Sequence, residues 1–207
     1  MTQNWLVGGF AFLLAGLLMV GDSAAQEQAE PKKKSLVEMA SEAMDQAAAE
    51  AGLPGEYHAL LEKMAGSWTY TGKMWEQPDA LPMEVSGTSE MRMILDGRYL
   101  QQEVTGSFLG QEFNGLGFIG FNKTEGKFET VWMDNMSTAL LKSSGTGDLN
   151  EKIITTFGEL KDSRTGEMKK FKSVTALKGE TELLDQWFDI GENGEEMKTM
   201  ELIYKRK

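Results

Sequence analysis

Cysteine is absent from this chain of 207 residues, and histidine occurs once, at His58. Without cysteine there are no disulfide bonds, thiolate metal sites, cysteine nucleophiles or lipidated cysteine anchors. A single histidine excludes a multi-histidine metal site and leaves a catalytic triad only one possible base. We therefore predict no metal site and no bound cofactor, and we expect stability to come from the apolar core.

Positive charge is also scarce. The chain has 21 lysines and arginines against 32 aspartates and glutamates, a formal net charge of -11. Its only basic clusters are residues 32–34 and 205–207. Because an acidic surface repels phosphate backbones and anionic lipid headgroups, we do not expect nucleic acid as a partner. The oligomeric state is left open by the sequence.

The sequence lacks an apolar run long enough to cross a bilayer. The uncharged run from Leu6 to Val20 has about 15 residues, whereas a spanning helix needs about 20. Small residues at positions 23–25 follow it, as they do before a signal-peptide cleavage point, although the terminal amine is the only positive charge ahead of the run. We predict a signal peptide over residues 1–25 and an exported, periplasmic or secreted mature protein without a stable membrane span.

Residues 26–54 are predicted to form a polar leader with one helix. The segment Ser35-Leu36-Val37-Glu38 has the Ser-x-x-Glu spacing of a capping box, and it predicts a helix from Leu36 to about Ala51. A second, short helix is predicted from Gly55 to Ala65. Its apolar residues are expected to press against one end of the domain that follows.

From residue 67 onward the pattern is that of strands. Segments of β-branched and aromatic residues recur between turn signals, with apolar residues on alternate positions. The first clear example is Met83, Val85, Met91, Met93 and Leu95, followed by a two-residue hairpin turn at Asp96-Gly97. About ten strands are expected in an all-β, antiparallel up-and-down barrel over residues 55–207, because closure removes the exposed edges of a meander. A two-sheet sandwich is the alternative.

Two local features resemble the calycin superfamily of lipocalins and fatty-acid-binding proteins. Gly66-Ser67-Trp68 follows a short helix and opens the first strand, and Arg206 lies near the end of the last one. The resemblance implies that Trp68 lies across the barrel base with Arg206 stacked over it. Both residues would then be structural.

A longer pattern resembles the bacterial domain of unknown function 1579 family. It consists of His58-x-x-Leu61-x-x-Met64-x-Gly66-x-Trp68, Asp96-Gly97-Arg98-Tyr99-Leu100, Gly115-x-Gly117 and Trp132-x-Asp134. The resemblance covers residues 55–206 and implies a lipocalin-like barrel that is often exported. It implies no reaction and no ligand.

Two motifs with possible chemistry have structural interpretations. The glycines from Gly115 to Gly120 match the spacing of a dinucleotide-binding fingerprint, but strand-like residues follow instead of a helix, so we interpret them as part of a barrel strand. We interpret His58 as a structural cap. Glu62, which lies one helical turn further along, could hold its side chain in place. A haem site of the nitrobindin kind is not predicted, because no histidine occurs in the later strands.

Trp132 and Asp134 form the most interesting pair, because they share a strand face with Phe128. A carboxylate beside an indole at a barrel mouth could orient a polar ligand group or act as a general base. Arg98 could instead neutralise Asp134 in an internal salt bridge. Further candidates for the lumen are Trp187, which shares a face with Asp185, and Tyr99 and Glu103, which share a face with Gln101; parity alone does not decide which face is inside.

The leading hypothesis is a barrel that binds a small, largely apolar molecule in its lumen, with Trp132, Asp134 and Arg98 near the entrance. The first alternative is an enzyme, an isomerase or hydrolase, that uses Asp134 or Glu103 as a general base. The second is a protein-interaction module whose barrel is filled by its own side chains.

Overall fold

The computed structural model describes residues 34–77, 80–162 and 165–207. The predicted signal peptide, its cleavage after Ala25 and the first part of the predicted leader lie outside the described residues. The chain divides into two units, residues 1–40 and 41–207.

Helix α1 spans Leu36–Ala51, the range predicted from its capping box, and none of its residues is buried. Within the first unit, the Glu38 N–H donates to the Ser35 hydroxyl over 3.2 Å, and the Ser35 N–H donates to the Glu38 carboxylate over 2.8 Å. This reciprocal pair satisfies two backbone donors that the helix itself leaves unpaired. The local sequence therefore accounts for where α1 begins.

The second unit begins within α1 and continues through helix α2 and ten strands. Helix α2 spans Glu56–Met64, and Leu60, Leu61 and Met64 are buried. The strands are β1 Gly66–Met74, β2 Met83–Ile94, β3 Tyr99–Phe108, β4 Gln111–Asn122, β5 Lys127–Asp134, β6 Leu141–Asp148, β7 Ile153–Lys161, β8 Met168–Lys178, β9 Glu182–Ile190 and β10 Glu196–Arg206.

Each strand pairs antiparallel with its neighbours in the chain, and β1 also pairs with β10, so the sheet closes into a barrel. This confirms the predicted ten-stranded up-and-down barrel and excludes the two-sheet sandwich. Closure gives every strand a hydrogen-bonded neighbour on both sides, which a meander of the same strands would not have.

The turn between β2 and β3 is longer than predicted. Residues 95–98 connect the strands, and Leu95, Asp96 and Gly97 have φ values of 49°, 55° and 81°. Leu95 therefore leaves the strand to which its parity assigned it. Because three consecutive residues adopt the left-handed region, the two-residue turn expected at Asp96-Gly97 does not form.

The two ends of the barrel differ in their packing. At the end that carries α2, the helix end, the interior is filled by buried side chains: Leu60, Leu61, Met64, Trp68, Leu100, Phe128 and Leu183. At the opposite end, the open end, residues such as Met74, Phe108, Asp134 and Met136 border a cavity instead. Among the described residues, no helix has the length and apolar character required to cross a bilayer.

Candidate functional site

The lumen contains a cavity of about 450 Å³ that extends from the open end into the middle of the barrel. Its apolar lining comprises aliphatic, aromatic and methionine side chains, among them Met74, Val85, Val104, Phe113, Ile119, Trp132, Leu141, Ile154, Trp187, Met200 and Leu202. A barrel filled by its own side chains would leave no such space. The open lumen therefore removes the premise of the filled-barrel alternative.

Trp132 and Asp134 lie together at the open end of β5, and both line the cavity. The Trp132 indole N–H donates to Asp134 Oδ2 over 2.9 Å, and the Met136 N–H donates to Asp134 Oδ1 over 3.0 Å. The carboxylate thereby holds the indole in one orientation. Parity placed these two side chains on one face, and the closed barrel turns that face inward.

Glycines of β4 make room for the Trp132 indole. A Cβ atom built at Gly115 would overlap the indole ring, and one built at Gly117 would lie 3.0 Å from Trp132 Cε3. Gly120 is covered instead by the ring of Tyr99. The spacing that resembles a dinucleotide-binding motif therefore provides flat surfaces for two aromatic rings in a strand.

A second indole-carboxylate pair lies deeper, on β9. The Trp187 indole N–H donates to Asp185 Oδ2 over 3.2 Å, and the Thr175 hydroxyl donates to Asp185 Oδ1 over 3.0 Å. The Trp187 ring stacks on Phe171 with 5.1 Å between the ring centroids. Both members of the pair line the cavity.

Asp185 is enclosed by the barrel walls, although its carboxyl group faces the cavity. Burial raises the pKa of Asp185, because a carboxylate loses hydration inside the barrel, while hydrogen bonds from Trp187, Thr175 and Ser173 oppose that rise. Three neutral donors thus surround a carboxyl group that binds its proton more tightly than one in water.

Two tyrosines and a glutamine also line the cavity, and the tyrosines lie closer to the helix end than the two indole-carboxylate pairs. The rings of Tyr70 and Tyr204 are 5.5 Å apart, and both side chains are buried and line the cavity. Burial raises the pKa of Tyr204, and the nearby Asp185 charge adds to that rise, whereas a hydrogen bond with Gln102 opposes it. Both hydroxyls therefore remain protonated at neutral pH, because burial also raises the pKa of Tyr70.

A row of hydroxyl groups crosses the inner faces of strands β5, β6 and β7. The hydroxyls of Thr130 and Ser143 are 2.6 Å apart, and the Ser143 hydroxyl donates to Thr156 over 2.8 Å. All three residues line the cavity. The lumen is therefore apolar in most of its lining, with polar groups concentrated at a few positions.

Arg98 lies neither near Asp134 nor at the entrance of the cavity, so its predicted place at the entrance and the alternative of an internal salt bridge are both wrong. Its Nε donates to the Gly52 carbonyl over 3.0 Å, and its Nη1 donates to the Leu95 carbonyl over 3.2 Å. The physical reason is strand direction: β3 begins beside Arg98 at the helix end, whereas β5 reaches Asp134 at the open end.

Tyr99 and Glu103 lie on the outer face of β3, so their predicted place in the lumen is also wrong. Tyr99 is 43% exposed, and Glu103 forms an exposed ion pair with Arg92 over 3.0 Å. The inward residues of this strand are Leu100, Gln102 and Val104. Glu103 therefore cannot act as a general base on a molecule in the cavity.

Trp68 and Arg206 close the helix end of the barrel. The Arg206 guanidinium carbon lies 4.1 Å from the centroid of the fully buried Trp68 ring, whose N–H donates to the Met64 carbonyl over 3.0 Å. Arg206 also donates to the Ala65 carbonyl over 2.6 Å and to the Lys63 carbonyl over 2.7 Å. These contacts join the last strand to the end of α2.

His58 lies at the start of α2 and away from the cavity. Its Nδ1 accepts the Gly55 N–H over 3.0 Å, so its partner is this backbone group and not the expected Glu62. Burial lowers the pKa of His58, and the charges of Lys123 and Arg98 lower it further. The geometry is that of a helix cap made by a neutral imidazole.

Sequence reasoning missed the central part of the site. Parity pairs Asp185 with Trp187 but does not single out the carboxylate, and Tyr70, Tyr204 and Gln102 are not among the residues predicted from the sequence. A signal existed for one tyrosine, because Tyr70 follows the inward Trp68 by two residues and must share its face. Within the described part of the chain, no group of three or more acidic, histidine or cysteine side chains could hold a metal ion.

The fold and the cavity together define a ten-stranded up-and-down barrel with a lumen large enough for a small molecule. A family model described as "Protein of unknown function (DUF1579)" matches residues 53–206, and the chain belongs to this family. A comparison with curated proteins gives no match. Among solved structures, the chain is similar to a redesigned β-barrel, with 12% identity, a TM-score of 0.39, and coverage of 72% of this chain and 94% of that one.

Proposed function

We propose that this protein binds a small, largely apolar molecule in the lumen of its barrel. The observation that carries the proposal is the open cavity of about 450 Å³ with mostly apolar walls and a few convergent polar groups. Small-molecule sites usually have volumes of about 300–1,000 Å³ and this kind of lining. Trp132 and Asp134 border the route into the cavity from the open end.

The arrangement of polar groups supports a ligand with one polar end. Apolar side chains such as Phe113, Trp132 and Met200 surround the part of the cavity nearer the open end, whereas Asp185 and Tyr204 lie together closer to the helix end. Methionines in the wall, among them Met136 and Met200, can adapt to different ligand shapes because their side chains are unbranched and flexible. The apolar part of such a ligand would contact the walls near the open end, while its polar group reaches Asp185.

A second candidate is an isomerase or hydrolase, and the position of Asp185 favours it. A carboxyl group with a raised pKa that faces a cavity has the properties of a general base. The base of this alternative would be Asp185, since Glu103 lies outside the barrel. Binding remains the first proposal because it requires only the cavity and its lining.

A pair of tryptophan substitutions on adjacent residues of β3 tests whether the lumen is the binding site. Val104 is buried and lines the cavity, and Thr105 is exposed on the outer face. Val104→Trp should fill part of the lumen, whereas Thr105→Trp adds the same side chain outside it. The neutral fluorophore N-phenyl-1-naphthylamine serves as the probe, and thermal melts establish that both variants are folded.

The proposal predicts that Val104→Trp weakens probe binding by at least about tenfold, while Thr105→Trp binds like the parent protein. Mass spectrometry of an organic extract should detect a retained small molecule in the parent protein, and much less in a variant with Trp132 and Asp134 both replaced by alanine. Equal probe affinity in the two tryptophan variants would overturn the proposal. So would a parent protein that neither binds the probe nor retains a small molecule.

A further inference from the structure

We infer that the lumen selects ligands that carry a positive charge, such as protonated aromatic or alkyl amines, and discriminates against carboxylates. The inference rests on the proposed binding function and specifies the chemical class of its ligand. Two indole-carboxylate pairs in a cavity without a basic side chain carry it. One pair is Trp132 with Asp134, and the other is Trp187 with Asp185.

The charges that face the cavity are of one sign. Among the described residues that line it, Asp134 and Asp185 are acidic, and none is a lysine, arginine or histidine. On β8 and β10, Lys169 forms an ion pair with Asp162, Lys172 with Glu196 and Lys198 with Glu201. A carboxylate ligand would therefore meet the Asp134 carboxylate and, at Asp185, a second acidic group with no basic side chain in the lining to offset it, in a space that screens charge poorly.

Asp185 has neutral hydrogen-bond donors but no cation among the residues that line the cavity beside it. On the flanking strands, β8 presents Ser173 and Thr175, while β10 presents Leu202 and Tyr204. Hydroxyl and indole donors satisfy the oxygens of the carboxylate without neutralising its charge. A cationic group on a ligand would supply the missing opposite charge in a site shielded from water.

The aromatic walls favour the same class of ligand. Each indole N–H donates to its carboxylate, and the β4 glycines and Phe171 cover part of the Trp132 and Trp187 rings, so a ligand would contact the ring surface that lines the cavity. Phe113 lies parallel to Trp132, with 6.4 Å between the ring centroids, and Phe171 stacks on Trp187. Because the face of an indole is electron-rich, it attracts a nearby cation and packs against a flat apolar group.

A matched series of naphthyl probes tests the charge preference. 1-Naphthylmethylamine is cationic at neutral pH, 1-naphthalenemethanol is neutral, and 1-naphthoate is anionic, while the three share one ring system. Their dissociation constants are measured by isothermal titration calorimetry with the full chain at neutral pH. We expect the amine to bind about tenfold more tightly than the alcohol, equal to about 1.4 kcal/mol, and the carboxylate to bind most weakly.

Three variants locate the origin of the preference. Asp185→Asn and Asp134→Asn each replace one carboxyl group in the cavity by an amide, whereas Glu103→Gln makes the same change on the outer face. We expect Asp185→Asn to reduce the amine-to-alcohol ratio about tenfold, Asp134→Asn to reduce it less, and Glu103→Gln to leave it unchanged. Each variant replaces one carboxyl group by an amide, so a general effect of losing an acidic side chain cannot explain a difference between them.

The outcomes separate this inference from the proposed function. If the alcohol binds and the amine has no advantage over it, or if Glu103→Gln lowers the ratio as much as Asp185→Asn does, the inference is overturned and the binding site stands. If Val104→Trp leaves the affinity for the alcohol unchanged, the lumen is not the site, and both proposals fail.

Discussion

Replacing Arg206 tests how the helix end of the barrel is held closed. The guanidinium lies over the Trp68 ring at 4.1 Å and donates to the carbonyls of Lys63, Ala65 and Glu180 over 2.7, 2.6 and 2.8 Å. One side chain thus joins the end of β10 to the end of α2 and to the turn before β9. Arg206→Ala removes all of these contacts at once.

The expected loss follows from those contacts. The cation-π contact contributes about 0.5–2 kcal/mol. The half-buried hydrogen bond to the Ala65 carbonyl adds about 1.5 kcal/mol, at the low end for a charged donor. The other two bonds lie at the surface, where water replaces them in the variant, so we discount them. Arg206→Ala should therefore lower the free energy of unfolding by about 2–3.5 kcal/mol.

Arg206→Lys should lose about half as much, because lysine keeps a cation near the indole but cannot form the planar fork of hydrogen bonds. Urea unfolding followed by tryptophan fluorescence measures both losses. The matched control is Arg92→Ala, which breaks an exposed ion pair with Glu103 and should cost less than about 1 kcal/mol. If Arg206→Ala costs no more than Arg92→Ala, Arg206 does not hold the barrel end closed.

Three further predictions concern the cavity and the helix cap. Asp185→Asn should stabilise the empty protein at neutral pH and have little effect in acid. Burial raises the folded-state pKa of Asp185 above the ordinary value of 3.8, so the folded protein loses stability relative to the unfolded chain as pH rises from 3.8 to the folded-state pKa. Thermal melts of the variant and the parent protein from acid to neutral pH measure the difference in stability. A variant that is less stable than the parent at neutral pH would refute the argument. Gly115→Ala should weaken binding of N-phenyl-1-naphthylamine and change the near-ultraviolet circular dichroism more than Gly117→Ala does, because the first Cβ overlaps the Trp132 ring and the second lies 3.0 Å from it; equal effects would contradict the packing. His58→Asn should reduce the loss of stability on acidification. In the unfolded chain His58 takes up a proton near the ordinary pKa of 6.5, whereas burial and two nearby cations lower its pKa in the folded protein. Wild-type stability therefore falls as the pH drops through 6.5. Parallel pH profiles for His58→Asn and wild type would count against this explanation.

The sequence alone determined the features that depend on local chemistry. The Ser-x-x-Glu spacing at Ser35 placed the start of α1, because the two side chains cap each other's backbone groups. Alternating apolar residues between turn signals indicated the strands, and the edge-pairing argument led to a closed barrel. Parity placed Trp132 beside Asp134, since residues two apart on a strand must share a face.

Only the tertiary structure decided which of two plausible faces points inward. On β3 both faces carry polar and apolar residues, so the sequence favoured the face of Tyr99 and Glu103, whereas the closed sheet places Gln102 inside. The cluster of Asp185, Tyr204 and Tyr70 depends on the register of β9, β10 and β1, and pairing across strands leaves no local pattern in a sequence. The openness of the lumen depends on how side chains from all ten strands fill one volume, which no single segment determines.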